Sequence, residues 1–274
     1  MAVMGIDPEL PLSSQYEWPS AIVTGGGSGL GRTLALKLAR DGLDVYIWGR
    51  RVEPLEETSR LGANLRGTIT PIVCDVSDSE QVDAAIAAST GDSGVPAILV
   101  NNAAGAFVQF AEKISPNGWH AVLSASLHGV FLTSSAWCRA RVDHATGGVI
   151  LNVTSATTDN GSPGTAHSGA AKAGVTSLTK SLALEWARWG IRVNAIAPGV
   201  FTTGAGAEQI WSNASIEDRI RSSIPLRRFA NVDDIAEPAR FLLSRGAGYI
   251  TGAVLKVDGG WTLNQWLYET PVDQ

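Results

Sequence analysis

Short apolar runs alternate with longer amphipathic stretches along most of the chain. Residues 20–24 (SAIVT), 44–48 (DVYIW), 68–76 (TITPIVCDV), 96–101 (PAILVN), 147–155 (GGVILNVTS), 191–198 (IRVNAIAP) and 253–259 (AVLKVDG) predict seven strands. Between them the period becomes helical. In 31–42, Leu34 and Leu38 with Ala35 and Ala39 share one face, and a glycine ends the pattern. Further helices are predicted over 79–89, about 115–141, 164–190 and 232–244, with Ser77 or Asp78 as a cap for the first of these. Strands that alternate with helices imply crossover connections and a parallel sheet. Uniformly apolar strands such as AILV fit a sheet covered on both faces. The expectation is one doubly wound α/β domain, with ligands beyond the carboxyl ends of its strands.

Its boundaries read as an irregular extension over 1–18, a domain over 19–260 and a tail over 261–274. The length of 274 residues suits a single large α/β domain, and 45% apolar residues suffice for its core. A net charge of −5 without long runs of one sign argues against a nucleic-acid or membrane-surface partner. Cys74 and Cys138 fit no metal spacing and read as reduced, buried thiols, so no metal is expected. The first 20 residues lack the basic and apolar regions of a secretory signal, and TPVDQ is no peroxisomal address. No apolar run reaches the roughly 18 residues of a membrane span. A cytoplasmic protein is expected.

The run TGGGSGLG (24–31) lies between a strand and a helix. Its glycines permit a tight turn and close approach to a pyrophosphate, which the helix N-terminus attracts. Gly25, Gly27, Ser28, Gly29, Leu30 and Gly31 are therefore candidate cofactor residues. The second strand ends in Gly49, Arg50 and Arg51 rather than an acid. Two guanidiniums there suit the 2′-phosphate of NADPH, although a solvated basic pair would look the same. Asp75, followed by Val76, is a candidate acceptor for the adenine amino group or a helix cap.

TGGGSGLG, NNAAG (101–105), Ser155, Lys172 and PGVFTT (198–203), in that order, resemble the short-chain dehydrogenase/reductases over residues 20 to about 260. The resemblance implies a Rossmann-type domain that uses a nicotinamide cofactor. It places Asn101, Asn102 and Ala103 near the adenine ribose, Lys172 on the nicotinamide ribose, and Pro198, Gly199 and Thr203 around the nicotinamide. Residues 201–230 would cover the substrate. Gly204 and Gly206 would let this lid move, and Ile210 with Trp211 would line an acyl pocket or pack the lid. Arg227 and Arg228 would meet CoA phosphates or lie solvated. The aromatic tail 261–269 is expected against another subunit of a homo-oligomer, a tetramer in this reading.

The family's ketone reductases carry a tyrosine four residues before the lysine, where this chain has Ser168. No tyrosine occurs between Tyr46 and Tyr249, and Tyr16 and Tyr268 lie in the terminal extensions. Reduction of a ketone makes an alkoxide that needs a proton at once, and a serine hydroxyl is too weak an acid to supply it. Reduction of a C=C bond conjugated to a thioester makes an enolate, which hydrogen-bond donors can stabilise. NNAAGAF and AHSGAAKAG resemble the 2,4-dienoyl-CoA reductases and, more loosely, the 1-cyclohexenylcarbonyl-CoA reductases. That branch implies that Ser168 and Lys172 hold an acyl-CoA thioester and the cofactor.

Three positions depart from the branch. Thr157 stands where mitochondrial members have a tyrosine, His128 where they have an asparagine, and Ser126 where peroxisomal members have an acid. The expected catalytic set is Lys172, Ser168, Ser155, His128 and Ser126. His128 and His167 are candidate acids; His128 would otherwise be a packed or exposed helical residue, and His167 lies about 100° around the helix from Ser168. A ketone or alcohol oxidoreductase with a non-tyrosine acid, and a non-catalytic nucleotide-binding scaffold, are the rival readings.

Overall fold

A computed structural model describes residues 15–142, 147–201 and 214–263. Seven parallel strands form one sheet: β1 (Ser20–Thr24), β2 (Asp44–Gly49), β3 (Ile69–Val73), β4 (Ile98–Asn101), β5 (Gly148–Val153), β6 (Ile191–Pro198) and β7 (Val254–Val257). Their order is β3-β2-β1-β4-β5-β6-β7. The Rossmann-type α/β fold expected from the sequence is therefore present. The order reverses between β1 and β4, which opens a crevice at their carboxyl ends.

Side-chain alternation divides the core between the two faces of the sheet. Ala21, Val23, Val45, Ile47, Val100 and Leu151 pack on α1 (Gly29–Arg40) and on a helix at 232–243. Ile22, Trp48, Leu99 and Ile150 pack on α3 (Ser79–Ala88), α5 (Gly129–Val142) and α6 (Ala166–Trp186). Burial on both sides is why these strands read as uninterrupted apolar runs. Asp78 caps α3 by accepting from the Glu80 and Gln81 amides. Gly190 ends the α6 region at φ +68°, a conformation that favours glycine.

Two local results differ from the sequence pattern. A helix not predicted above, α2 (Val52–Leu61), follows β2 and buries Leu55. The helix expected over 115–141 is broken: α4 (Pro116–Leu123) and α5 flank a π-helical segment, Ser124–His128. Together, residues 116–142 are long and apolar enough, by length and composition alone, to cross a bilayer. Packing of α5 on α3, β4 and β5 accounts for that apolar surface. The remaining helices are α7 (Ala214–Ser223) and α8 (Val232–Leu243).

The start of the described chain is anchored. Tyr16 is buried and donates to Asp41 Oδ2 at 3.0 Å, and the Arg240 guanidinium bonds both residues. Residues 15–18 of the expected irregular extension thus dock between α1 and α8.

Candidate active site

A cleft of about 600 Å³ lies along the carboxyl ends of the strands. The glycine turn forms one wall. Thr24 Oγ1 accepts from the Asn102 and Ala103 amides, each at 3.0 Å, while Asn102 Nδ2 donates to Thr24 O. These bonds lock the ends of β1 and β4 together. Gly25, Gly27, Ser28, Gly29 and Leu30 face the cleft, and so do Asn102 and Ala103. Ser28 makes no side-chain cap on α1, so the helix N-terminus stays available to an anion. At Gly29, with φ +53°, a side chain would point into open space rather than against protein. A backbone bare in this way suits close approach by a pyrophosphate. Gly31 does not line the cleft. Its Cα packs on the turn itself, where a Cβ would sit 2.3 Å from Gly25 O.

Arg50, Arg51, Asp75 and Val76 continue the wall. Arg50 is exposed and lies 4.0 Å from Asp75 Oδ2. Asp75 does not cap α3; its Oδ1 accepts from the Ser77 amide and hydroxyl instead. Cys74 is buried here, and burial pushes its thiol up to about 12, so it is inert. Asn101 stays beneath the cleft. It is buried and bonds Asn152, Thr133 and Ser134, tying β4 to β5 and α5.

The opposite end holds Ser155, Ser168, Lys172, Pro198 and Gly199. Ser168 and Lys172 are one helical turn apart on α6, so both project to the same side. Lys172 Nζ donates to Val153 O at 2.6 Å. Burial pushes its ammonium down to about 8. The Ser155 and Thr157 hydroxyls lie 2.9 Å apart. The Ser168 hydroxyl makes no hydrogen bond among the described residues and is free for a ligand.

Two expected catalytic residues are not brought in. His128 is exposed and does not line the cleft. Ser126 is fully buried, and its hydroxyl bridges Gly105 N and O, both at 3.1 Å. The π-helical turn supplies the reason: its wider coil shifts the register of the side chains that follow. Thr203, Gly204, Gly206, Ile210 and Trp211 lie outside the described residues. Arg228 is held by Asp234 rather than left free for a phosphate. Trp261, expected at a subunit contact, lines the cleft and donates to Ser223 Oγ at 3.0 Å. Thr157, which stands where mitochondrial members have a tyrosine, lines the cleft, and so do Ser162 and Thr165, which were not expected there; the hydroxyl-rich stretch 154–165 was their signal.

Among the described residues no tyrosine lines the cleft. Tyr16 is held by Asp41 and Arg240, Tyr46 packs on the core, and Tyr249 is fully exposed. Tyr268 lies outside the described residues.

A glycine-lined helix N-terminus at the switch point, with a buried lysine and hydroxyls at the far end, defines a nicotinamide-dependent oxidoreductase of the Rossmann type. Residues 25–262 match the enoyl-(acyl carrier protein) reductase family, and the chain belongs to the short-chain dehydrogenase/reductases, an enzyme family that uses a nicotinamide cofactor. It is 41% identical to a probable 2,4-dienoyl-CoA reductase of Bacillus subtilis, over 91% of this chain and 99% of the relative. A peroxisomal 2,4-dienoyl-CoA reductase of Danio rerio is 35% identical, over 88% and 80%. A gluconate 5-dehydrogenase of Gluconobacter oxydans is 34% identical, over 89% and 94%. Among solved structures, a putative 2-deoxy-D-gluconate 3-dehydrogenase from Agrobacterium tumefaciens with bound NADP superposes with a TM-score of 0.84. It is 35% identical, over 93% and 100% of the two chains.

Proposed function

We propose that the protein reduces the C=C bond of an enoyl- or dienoyl-CoA thioester with NADPH. One observation carries this reading: Ser168 occupies the cleft position one turn before Lys172, with no phenol beside it among the described residues. The bound nicotinamide supplies hydride. The chain's own groups act on the thioester oxygen. Ser168 donates a hydrogen bond to it, Ser155 offers a second donor, and the Lys172 ammonium favours negative charge nearby. A serine hydroxyl can stabilise an enolate without surrendering its proton, whereas an alkoxide would require that proton. The final proton then goes to carbon from water. Arg50 and Arg51 favour the 2′-phosphate of NADPH, and the dienoyl-CoA reductase relatives support the thioester class.

The test follows absorbance of the cofactor with crotonyl-, hexadienoyl- and cyclohexenylcarbonyl-CoA, and separately with a panel of ketones. Enoyl or dienoyl turnover is expected, and Ser168→Ala should lower kcat by about 10²–10³. Ser168→Tyr should bring no gain in enoyl reduction. Ketone turnover without enoyl turnover would overturn the proposal in favour of the alcohol oxidoreductase reading.

A further inference from the structure

His167 is fully buried, yet its Nε2 has no hydrogen-bond partner, the one such buried side-chain atom among the described residues. Its other nitrogen is engaged: Nδ1 accepts the Ser168 amide at 2.8 Å. That bond fixes the chemistry of the ring. A nitrogen that accepts an N–H carries a lone pair, so Nδ1 is unprotonated and the neutral ring bears its proton on Nε2.

The location explains what the bond does. The first amides of a helix lack intrahelical acceptors. Thr165, the N-cap of α6, makes no capping bond with its side chain, and its hydroxyl donates backwards to Ser162 O. His167 Nδ1 therefore stands in for the missing cap at the residue whose hydroxyl enters the cleft. The ring is braced in turn by Phe107, packed perpendicular to it with centroids 4.2 Å apart. Phe107 directly follows Gly105 and Ala106 of the cleft wall.

We propose that His167 is a positioning residue, a neutral Nε2–H tautomer that fixes the backbone, and hence the hydroxyl, of Ser168. The proposal rests on the reading that Ser168 meets the substrate oxygen. A misplacement of about 1 Å at such a group lowers turnover by about 10²-fold. The unpaired Nε2–H is the by-product of committing Nδ1 to the cap.

Three substitutions separate the two edges of the ring. His167→Asn keeps an oxygen where Nδ1 lies, His167→Gln reaches only to the Nε2 end, and His167→Phe keeps a ring without an acceptor. With crotonyl- or hexadienoyl-CoA, the Phe and Gln variants should lose kcat by about 10–10²-fold, with KM for NADPH unchanged. The Asn variant should recover most of the loss. In a Ser168→Ala background, His167→Phe should add nothing further. An Asn variant as impaired as Phe, or an undiminished effect in that background, would overturn the proposal.

The chain has only four histidines, so ¹⁵N-histidine labelling of the unmutated protein gives a readout that needs no variant to fold. One ring should show an unprotonated Nδ1 and a protonated Nε2, and its signals should vanish in any His167 variant. A protonated Nδ1 refutes the assignment. If Ser168→Ala leaves enoyl-CoA reduction intact, the functional reading fails by itself. Amide hydrogen exchange then decides the positioning role. Faster exchange at Ser168 in the Phe variant but not in the Asn variant supports it, and equal exchange in all three proteins refutes it.

Discussion

Replacing Lys172 by Met should make the cofactor-free protein more stable while it impairs catalysis. Lys172 is only 7% exposed, and among the described residues its side chain makes one hydrogen bond, to the neutral carbonyl of Val153. Burial takes its ammonium from the ordinary 10.5 down to about 8. At about 1.4 kcal/mol per pH unit, holding this charge inside the fold costs about 3 kcal/mol. Methionine has similar length and no charge, so the substitution relieves that cost with little repacking. It also leaves Val153 O without its partner, a loss of about 1–2 kcal/mol. The balance is a gain of about 1–2 kcal/mol, or a rise in Tm of about 2–6 °C for a chain of this size.

The pH dependence is specific. Between pH 8 and 10.5 the unfolded chain keeps a proton that the folded lysine has released, so the unmutated protein gains stability as pH rises. The variant lacks this gain. Its advantage should be constant below pH 8 and fade above it. Thermal unfolding of both proteins without cofactor, from pH 6 to 10, measures the difference directly. A variant less stable at pH 7, or an advantage that persists to pH 10, would refute the argument. On the proposed mechanism activity should also fall in the same variant, because it removes the positive charge that would steady the enolate oxygen.

Replacing Arg50 and Arg51 by alanine should raise the Kd for NADPH by about 10–100-fold and leave NADH nearly unchanged, read by titration calorimetry; an unaltered ratio would exclude a role in cofactor choice. Gly31→Ala forces a methyl group to within 2.3 Å of Gly25 O. It should cost about 1–3 kcal/mol in urea unfolding and weaken cofactor binding, because the turn must shift. Tyr16→Phe removes the hydroxyl between Asp41 and Arg240 and should cost about 1–2 kcal/mol. Asp41→Ala removes the buried carboxylate that Tyr16 and Arg240 share, although Glu237 still pairs with Arg240, and should cost more, about 2–3 kcal/mol; turnover per folded molecule should be unchanged in both.

The parallel sheet was legible in the sequence because local chemistry determines it. Apolar runs of strand length, glycine stops and a glycine-rich first turn each act within a few residues. The cleft wall at Gly25 and from Gly27 to Leu30 follows from the same local rules, whereas the Ser168–Lys172 pair was legible only through the resemblance of AHSGAAKAG to its family. What stayed hidden depends on contacts distant in sequence. The π-helical turn at Ser124–His128 is held where the Ser126 hydroxyl clasps Gly105, 21 residues away. A regular helix over 115–141 gives no hint of that clasp; Ser126 and His128 entered the expected catalytic set because the family resemblance puts functional groups at those two positions. Trp261, read as part of a tail against another subunit, donates its indole N–H to Ser223 within the chain and lines the cleft, a contact that local patterns do not show.

The chemistry of the cleft follows more from how its ionisable groups are held than from which residues are present. Near the β2 and β3 ends sit two exposed guanidiniums and the Asp75 carboxylate. Cys74 lies close by, but its thiol is held protonated by burial. Near Ser155 and Ser168 the described lining offers hydroxyls and a single ionisable group, Lys172. A buried ammonium without a carboxylate partner is costly in the empty protein and becomes favourable once negative charge arrives beside it. Hydroxyls add directed hydrogen bonds to the same charge. Such an arrangement raises affinity for an oxyanion as it develops, and that is the demand of an enolate. The alkoxide of a ketone reduction makes a further demand, for a proton from an acid of intermediate strength. Among the described lining residues at this end only the lysine titrates anywhere near neutrality, and giving up its proton would remove the charge that steadies the oxygen.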